Sequence, residues 1–514
     1  MNGSLSMLVQ RFILAALLVA GTAFYAGNHL NHDTSFLLVA TARWLNGATL
    51  YTDIMEINPP WIFYVTAPAV IYANDLGLSA SAAFVIWIGA IAAVSLVWTW
   101  SLLSRVPALS TWSAFAVLMG CFVAVFVVPS VNFGQREHVF IILALPYLIQ
   151  QVFLASSGLA ISRRESAALG AFAVMGIALK PFFLLPVLIL TYVRCRRAGS
   201  VKPALEPAAI AIAAGCVAYV LFAAVLHPEY FSNVVPLGSL IYGAIGFEAS
   251  EQAPDTIVPL LLVLAIATVE DASPALRSKF MLLAVVLGGL LIAYVLQFKG
   301  WPYQLLPFEC MAVIACVIAF ATSSQNYMTR PLHFALFVIA AATLLTRAVY
   351  YGPYDNSYAH VFQAELEQVR TDWKGRSVLL LSTDNFAAFP LINILGAEWA
   401  GRYPYQWVVA GAISSQVKEG CLYTPESCPK LKEILEYGRS TNVDDIVNQS
   451  PDVVLIDVRP IKPYFPVRNF NFIDFLKEDP RFEAKWHEYR KLATEMNYDI
   501  WVRNAGNNAV AEGK

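Results

Sequence analysis

The chain has 514 residues, of which 58% are hydrophobic and only 14% charged, with a mean hydropathy of +0.58. That balance is too apolar for a soluble globule of ordinary composition and describes a polytopic α-helical membrane protein. The formal charge is -2, and the few Arg and Lys clusters hug the ends of apolar runs, which argues against a nucleic-acid partner and makes those clusters topology signals first.

The first apolar run, roughly 12–28, follows Arg11 and has no small-residue cleavage site leading into a soluble mature domain, so it reads as a retained helix. Further spans of about 20 residues are expected near 81–103, 110–129, 139–158, 205–226, 257–270, 280–297, 304–322 and 331–349. The stretch 166–194 differs, because Arg163-Arg164 and Arg194-Cys-Arg-Arg197 flank it on both sides. If both clusters are cytoplasmic, one crossing cannot join them, and Lys180-Pro181 supplies the break for two short helices. Residues 59–75 are apolar but carry Pro59-Pro60 and Pro68, which suits a helix lying at the interface. The sum is about eleven spans.

This reading gives a transmembrane catalytic domain over 1–350, with the first extracytoplasmic loop over 28–80, and an extracytoplasmic α/β domain over 351–514. In the latter, Ser377–Leu381 and Asp452–Asp457 read as buried strands, and Asn471–Leu476 and Ala484–Leu492 as helices. It shows no Gly-rich phosphate loop, catalytic triad or metal spacing, so a scaffold or acceptor-docking role is expected of it. Five of the seven cysteines fall in or beside spans, where a small buried thiol is ordinary. Cys421 and Cys428 close a short loop in the polar part, and a disulfide in an oxidising compartment is expected between them.

Four polar islands interrupt the apolar runs: Asn31-His-Asp33 with Asp53-Ile-Met-Glu56, then Gly134-Gln-Arg136-Glu137-His138, then Lys180-Pro181, then Lys299-Gly-Trp301-Pro-Tyr303-Gln304. Ionisable groups so near hydrocarbon are costly and mark functional sites by default. The charge-based topology brings the basic islands to the outer face. A carboxylate there can act as general base on a hydroxyl, while Lys and Arg stabilise a departing phosphate. That chemistry is glycosyl transfer from a lipid phosphate.

Asp33 shortly after the first span, followed by Gly47-Ala-Thr-Leu-Tyr51-Thr-Asp53 and Asn58-Pro-Pro60, resembles the first extracytoplasmic loop of the GT-C superfamily of integral-membrane glycosyltransferases, which includes the bacterial aminoarabinose transferase and the protein O-mannosyltransferases. Lys180-Pro181 and Lys299-Gly-Trp-Pro-Tyr303 are similar to patterns in bacterial members. The resemblance implies a GT-C-like fold, a polyprenyl-phosphate sugar donor, inversion at the anomeric carbon, and a location in the bacterial inner membrane with the C-terminal domain on the periplasmic side. It implies Asp33 as catalytic base and Glu137 as a second catalytic acid. Asp53, Glu56, Arg136, His138, Lys180, Lys299, Trp301, Tyr303 and Gln304 are then candidates for substrate binding, with Gln304 standing where a histidine would be unsurprising.

Each residue has a plainer reading. Asp33 can cap the helix that follows it; Lys180 and Lys299 can be anchors that snorkel to water; Arg136 and Glu137 can form a local ion pair; Asp53 and Glu56 can orient their loop. Glu309, inside a span, either lines the cavity or is a hydrogen-bonded structural acid. His138 has no second histidine at ligand spacing and no metal is assigned, although a carboxylate pair can hold a divalent cation. The acceptor is an extracytoplasmic glycan, lipid or protein. Two other readings stay open: a lipid-linked-glycan transporter or flippase, which would place ionisable residues at the midplane and show inverted repeats, and an oligosaccharide ligase or polymerase.

Overall fold

A computed structural model describes residues 3–107, 109–246, 249–267, 274–322 and 373–504, with isolated positions at 338, 342, 346, 362 and 364. The span expected at 331–349 falls, but for three of those positions, outside the described residues. The helices up to residue 322 are α1 (Gly3–Ala26), α2 (His32–Leu45), α3 (Trp61–Asp75), α4 (Ala80–Leu103), α5 (Thr111–Phe126), α6 (Arg136–Ser157), α7 (Arg163–Ile177), α8 (Leu184–Ala198), α9 (Pro207–Leu226), α10 (Val235–Ile241), α11 (Ala249–Ala267), α12 (Pro274–Val295) and α13 (Leu306–Thr322). Among the described residues six helical stretches are long and apolar enough to cross a bilayer: Met7–Ala26, Ala80–Leu103, Arg136–Leu154, Pro207–Leu226, Arg277–Val295 and Pro302–Ala321. The protein is an integral membrane protein.

The chain forms two compact units. One contains Met1–Leu30, Asn58–Leu226 and Phe247–Asp355, and the other Asn31–Ile57, His227–Gly246 and Asn356–Lys514. In the first unit the run 166–194 is divided into two helices. Ser162 caps α7 by accepting the Glu165 N–H at 3.1 Å, and Glu165 in turn takes the Arg105 guanidinium through both its oxygens. Lys180 adopts φ -152° and ψ 138°, the extended backbone that a following proline favours. Pro181–Phe183 makes one tight turn, and α8 then runs to Gly199, which ends it at φ 59°.

Small residues let these helices approach closely, as expected where lipid gives no hydrophobic drive between them. A Cβ on Gly170 of α7 would lie 2.3 Å from the carbonyl oxygen of Ala208 in α9, and one on Gly289 of α12 would lie 2.8 Å from the Cα of Pro186 in α8. Helix α6 is buried along almost its whole length. Pro146 inside it has no N–H to offer the carbonyl four residues earlier, and the Ser95 hydroxyl of α4 donates to that carbonyl, Ile142 O, at 2.6 Å.

The second unit holds a five-stranded sheet: β1 (Ser377–Leu381), β2 (Glu398–Trp399), β3 (Val453–Asp457), β4 (Tyr489–Glu495) and β5 (Tyr498–Arg503), in the order β2-β1-β3-β5-β4. β2, β1 and β3 are parallel; β5 pairs antiparallel with β3 and β4. The strands expected from the sequence match β1 and β3. The helix expected at Ala484–Leu492 does not form as such: Pro480–Trp486 is helical and Tyr489 begins β4. Met496 and Asn497 both adopt positive φ, 47° and 63°, a hairpin turn with the twist that adjacent strands need, and β5 buries alternate residues Tyr498, Ile500 and Val502. Cys421 and Cys428 form a disulfide.

Residues 31–57 and 227–246 pack with the C-terminal sheet because their partners are there. Arg43 donates to Gly401 O at 2.5 Å, Met55 N–H to Arg402 O at 2.8 Å, Trp407 Nε1 to Met55 O at 2.9 Å, and Gly411 lies against Ile241.

Candidate active site

In the first unit Glu137, the second residue of α6, is fully buried, and its carboxylate receives the Lys180 ammonium at 2.5 Å. A carboxylate in the first turn also suits the positive end of the helix. Its second oxygen, Oε2, has no hydrogen-bond partner among the described residues. Glu137 thus reaches across to the break between α7 and α8.

Positive φ at Phe298 (50°) and Gly300 (65°) turns the chain between α12 and α13. The rings of Trp301 and Tyr303 stack with centroids 5.8 Å apart. Lys299 Nζ lies 5.6 Å from the Trp301 ring centroid and Lys180 Nζ 5.4 Å from that of Tyr303. A continuous row results: Glu137, Lys180, Tyr303, Trp301, Lys299. Arg136 is buried beside it in sequence, and Gln304, 5% exposed, keeps Oε1 without a hydrogen-bond partner among the described residues. Aromatic faces hold ammonium groups without neutralising them. Both lysines are buried. Glu309 is buried in the first turn of α13.

His138 does not fit a ligand-binding role. Its Nδ1 accepts the Gly134 N–H at 3.0 Å and its Nε2 donates to Val125 O at 2.7 Å. Both ring nitrogens are used to fix backbone, which sets the tautomer and leaves none for substrate. Among the described residues no group of three or more His, Cys, Asp and Glu is arranged to hold a metal ion.

The first-loop acids lie in the second unit. Asn31, not Asp33, caps α2, accepting the Thr34 N–H at 2.9 Å, so the capping role weighed for Asp33 is filled by its neighbour. The Asp33 carboxylate lies 3.6 Å from His32 Nε2, and both side chains are 21% exposed. The His32 ring stands edge-on to Phe386, 4.2 Å between centroids. Asp53 is spent on its own loop, accepting the Thr49 N–H at 2.8 Å. Glu56 is buried and adds its charge to the surroundings of Tyr230 and Tyr405. The Tyr405 phenol is pushed well up, first by burial, then by its hydrogen-bonded neighbour Tyr242, Glu56 and Asp33.

Sequence reasoning missed a second polar cluster in this unit. Arg459, just past β3, forks onto Asp457 through Nε and Nη2 at 2.9 and 2.6 Å, and Nη2 also reaches Asp384 Oδ2 at 2.6 Å and Tyr498 at 2.9 Å. Burial raises the Asp384 carboxyl against the opposing pull of Arg459. The available signal was positional: Ser382-Thr-Asp384 and Asp457-Val-Arg459 directly follow apolar strands, where parallel sheets place their polar ends.

The structure is similar to ArnT from Cupriavidus metallidurans, solved bound to undecaprenyl phosphate, with a TM-score of 0.52 and 11% identity, covering 98% of this chain and 99% of that one. The arabinofuranosyltransferase AftD from Mycobacteria aligns with a TM-score of 0.45 and 12% identity, over 96% of this chain and 40% of AftD. No protein-family model matches the sequence, and no curated protein matches it in sequence.

Proposed function

We propose that this protein is an inverting glycosyltransferase that moves one sugar from a polyprenyl-phosphate donor to an extracytoplasmic cell-envelope acceptor. The observation that carries the reading is the row Glu137–Lys180–Tyr303–Trp301–Lys299 in a chain with the fold of ArnT, a protein solved with undecaprenyl phosphate bound. Lys180, Lys299 and Arg136 hold the donor phosphate, and Gln304 offers it a hydrogen bond. Glu137 holds Lys180 in place. The acceptor hydroxyl oxygen attacks the anomeric carbon, the bond from that carbon to the phosphate oxygen breaks, and its electron pair leaves with the lipid phosphate. The hydroxyl proton passes to Asp33. Negative charge grows on the phosphate as the bond breaks, so a fixed cation helps the transition state more than the bound donor. The enzyme works in a bacterial inner membrane with about eleven spans, the Arg163-Arg164 and Arg194–Arg197 clusters cytoplasmic, and Lys180 and the C-terminal domain on the periplasmic side.

The test is turnover of a polyprenyl-phosphate sugar by purified variants. Asp33→Asn retains size but not basicity and is expected to lower turnover by about two to four orders of magnitude with donor binding intact. Lys299→Met is expected to cost on the order of 3 kcal/mol in the rate, with a smaller change in donor affinity. Wild-type turnover in both variants overturns the reading, and lipid-linked glycan crossing the bilayer without bond cleavage would replace it with a flippase.

A further inference from the structure

The sheet of the second unit has a topological switch point. From β1 the chain passes to β2 on one side and then to β3 on the other, and open parallel sheets bind ligands in the crevice at the carboxyl ends of such strands. At that edge stand Ser382, Thr383 and Asp384 after β1, and Asp457 and Arg459 at the end of β3. Thr383 is 3% exposed, and its hydroxyl has no hydrogen-bond partner among the described residues.

The segment that follows β3 forms a compact loop. Asn469 N–H donates to Pro460 O at 2.8 Å, tying its two ends, and Pro460, Pro463 and Pro466 stiffen it. Lys462 Nζ is bound to Arg459 O at 2.7 Å, and Tyr464 is held at φ 57°. Tyr464 senses both Asp384 and Asp33: after burial, the charges of these two carboxylates push its phenol up. The loop after β1 meets the start of α2 directly, through Phe386 on His32, and Phe389 on Phe36 at 5.3 Å.

Charge selects the ligand class. The Arg459 guanidinium is already held by Asp384 and Asp457, the Lys462 ammonium by the Arg459 carbonyl, and Asp33 adds a further negative charge from α2, which disfavours a phosphate or carboxylate. Hydroxyl acceptors and donors beside an aromatic ring match a neutral polyol.

We propose that the carboxyl ends of β1 and β3, together with the loop 460–469, bind a neutral sugar unit of the glycan acceptor, with Thr383 and Asp384 taking its hydroxyls and Tyr464 its apolar face. The word acceptor rests on the glycosyltransferase reading; sugar binding here does not. Ligand-observed NMR on the full-length protein in detergent micelles tests it, with the methyl glycosides of glucose, galactose, mannose and N-acetylglucosamine as neutral probes and glucose 1-phosphate as the anionic one. At least one neutral probe is expected to bind, with affinity about tenfold weaker in Thr383→Val and in Tyr464→Ala and unchanged in Lys299→Met. Thermal unfolding at the wild-type temperature verifies that each variant is folded, and Tyr464→Phe, which keeps the ring, is expected to retain binding. Failure of every neutral probe to bind, preference for glucose 1-phosphate, or binding indifferent to both Thr383→Val and Tyr464→Ala overturns the site. Loss of polyprenyl-phosphate turnover tests the glycosyltransferase separately, so the two readings fail independently.

Discussion

The two buried ionic clusters of this protein solve the same problem in opposite ways. Around α6 and the turn before α13, Lys180 pairs with Glu137, both lysines lie near aromatic faces, and one oxygen of Glu137 has no hydrogen-bond partner among the described residues. At the edge of the sheet, Arg459 and Lys462 are matched by Asp384 and Asp457, with the guanidinium forked between the two carboxylates. The first cluster sets its lysines against aromatic rings, whereas the second ties its guanidinium directly to carboxylates.

The largest effect expected from breaking this contrast is Arg459→Met, which leaves two carboxylates buried without their cation. Removing one partner of a buried pair costs about 3–5 kcal/mol, and chemical denaturation monitored at the tryptophans of the second unit should show a loss at the upper end. Lys180→Met strands a single carboxylate, Glu137, and should fall at the lower end of that range. The double variant Lys180→Met, Glu137→Gln then recovers most of the stability without recovering turnover. If Glu137→Gln restored turnover as well, Lys180 would be a brace like Arg459 and the contrast would collapse.

A smaller effect concerns pH. The Asp445 carboxyl is pushed up to about 6, by burial first and against the pull of Arg402 and Arg43. Because its folded value lies above its unfolded one, the folded state binds the proton more tightly. The stability it contributes is fully present below about pH 4 and lost as pH rises through 6, levelling off about one unit above that. Asp445→Asn should flatten that slope in a thermal-melting series, and an unchanged slope would show that other groups set it.

Much of the first cluster was legible in the sequence because a charge in an apolar run stands out by contrast. Lys180, Glu137 and Lys299 are visible in that way, and the charges flanking 166–194 with Pro181 mark the helix break without any structure. The second cluster lacked that contrast, since Asp384 and Arg459 sit in a polar domain where charges are ordinary. β2 has only two residues, too few for a period, and the hairpin of β4 and β5 turns on Met-Asn rather than a glycine pair. The attachment of 31–57 and 227–246 to the C-terminal sheet depends on contacts such as Trp407 to Met55, which no local pattern encodes.

The hydroxyl that Ser95 lends to Ile142 gives α6 a mechanical character. A proline ordinarily leaves a helix with a soft joint, one carbonyl free and one rung missing. Here the missing rung is supplied from α4, so the joint is pinned to a neighbour and the rod cannot flex there without first breaking a buried bond. Glu137 lies nine positions before Pro146, and Gln151, which takes the Arg194 guanidinium, five positions after it. Glu137 and Gln151 therefore lie on either side of a joint pinned at Ile142, and Ser95→Ala removes that pin.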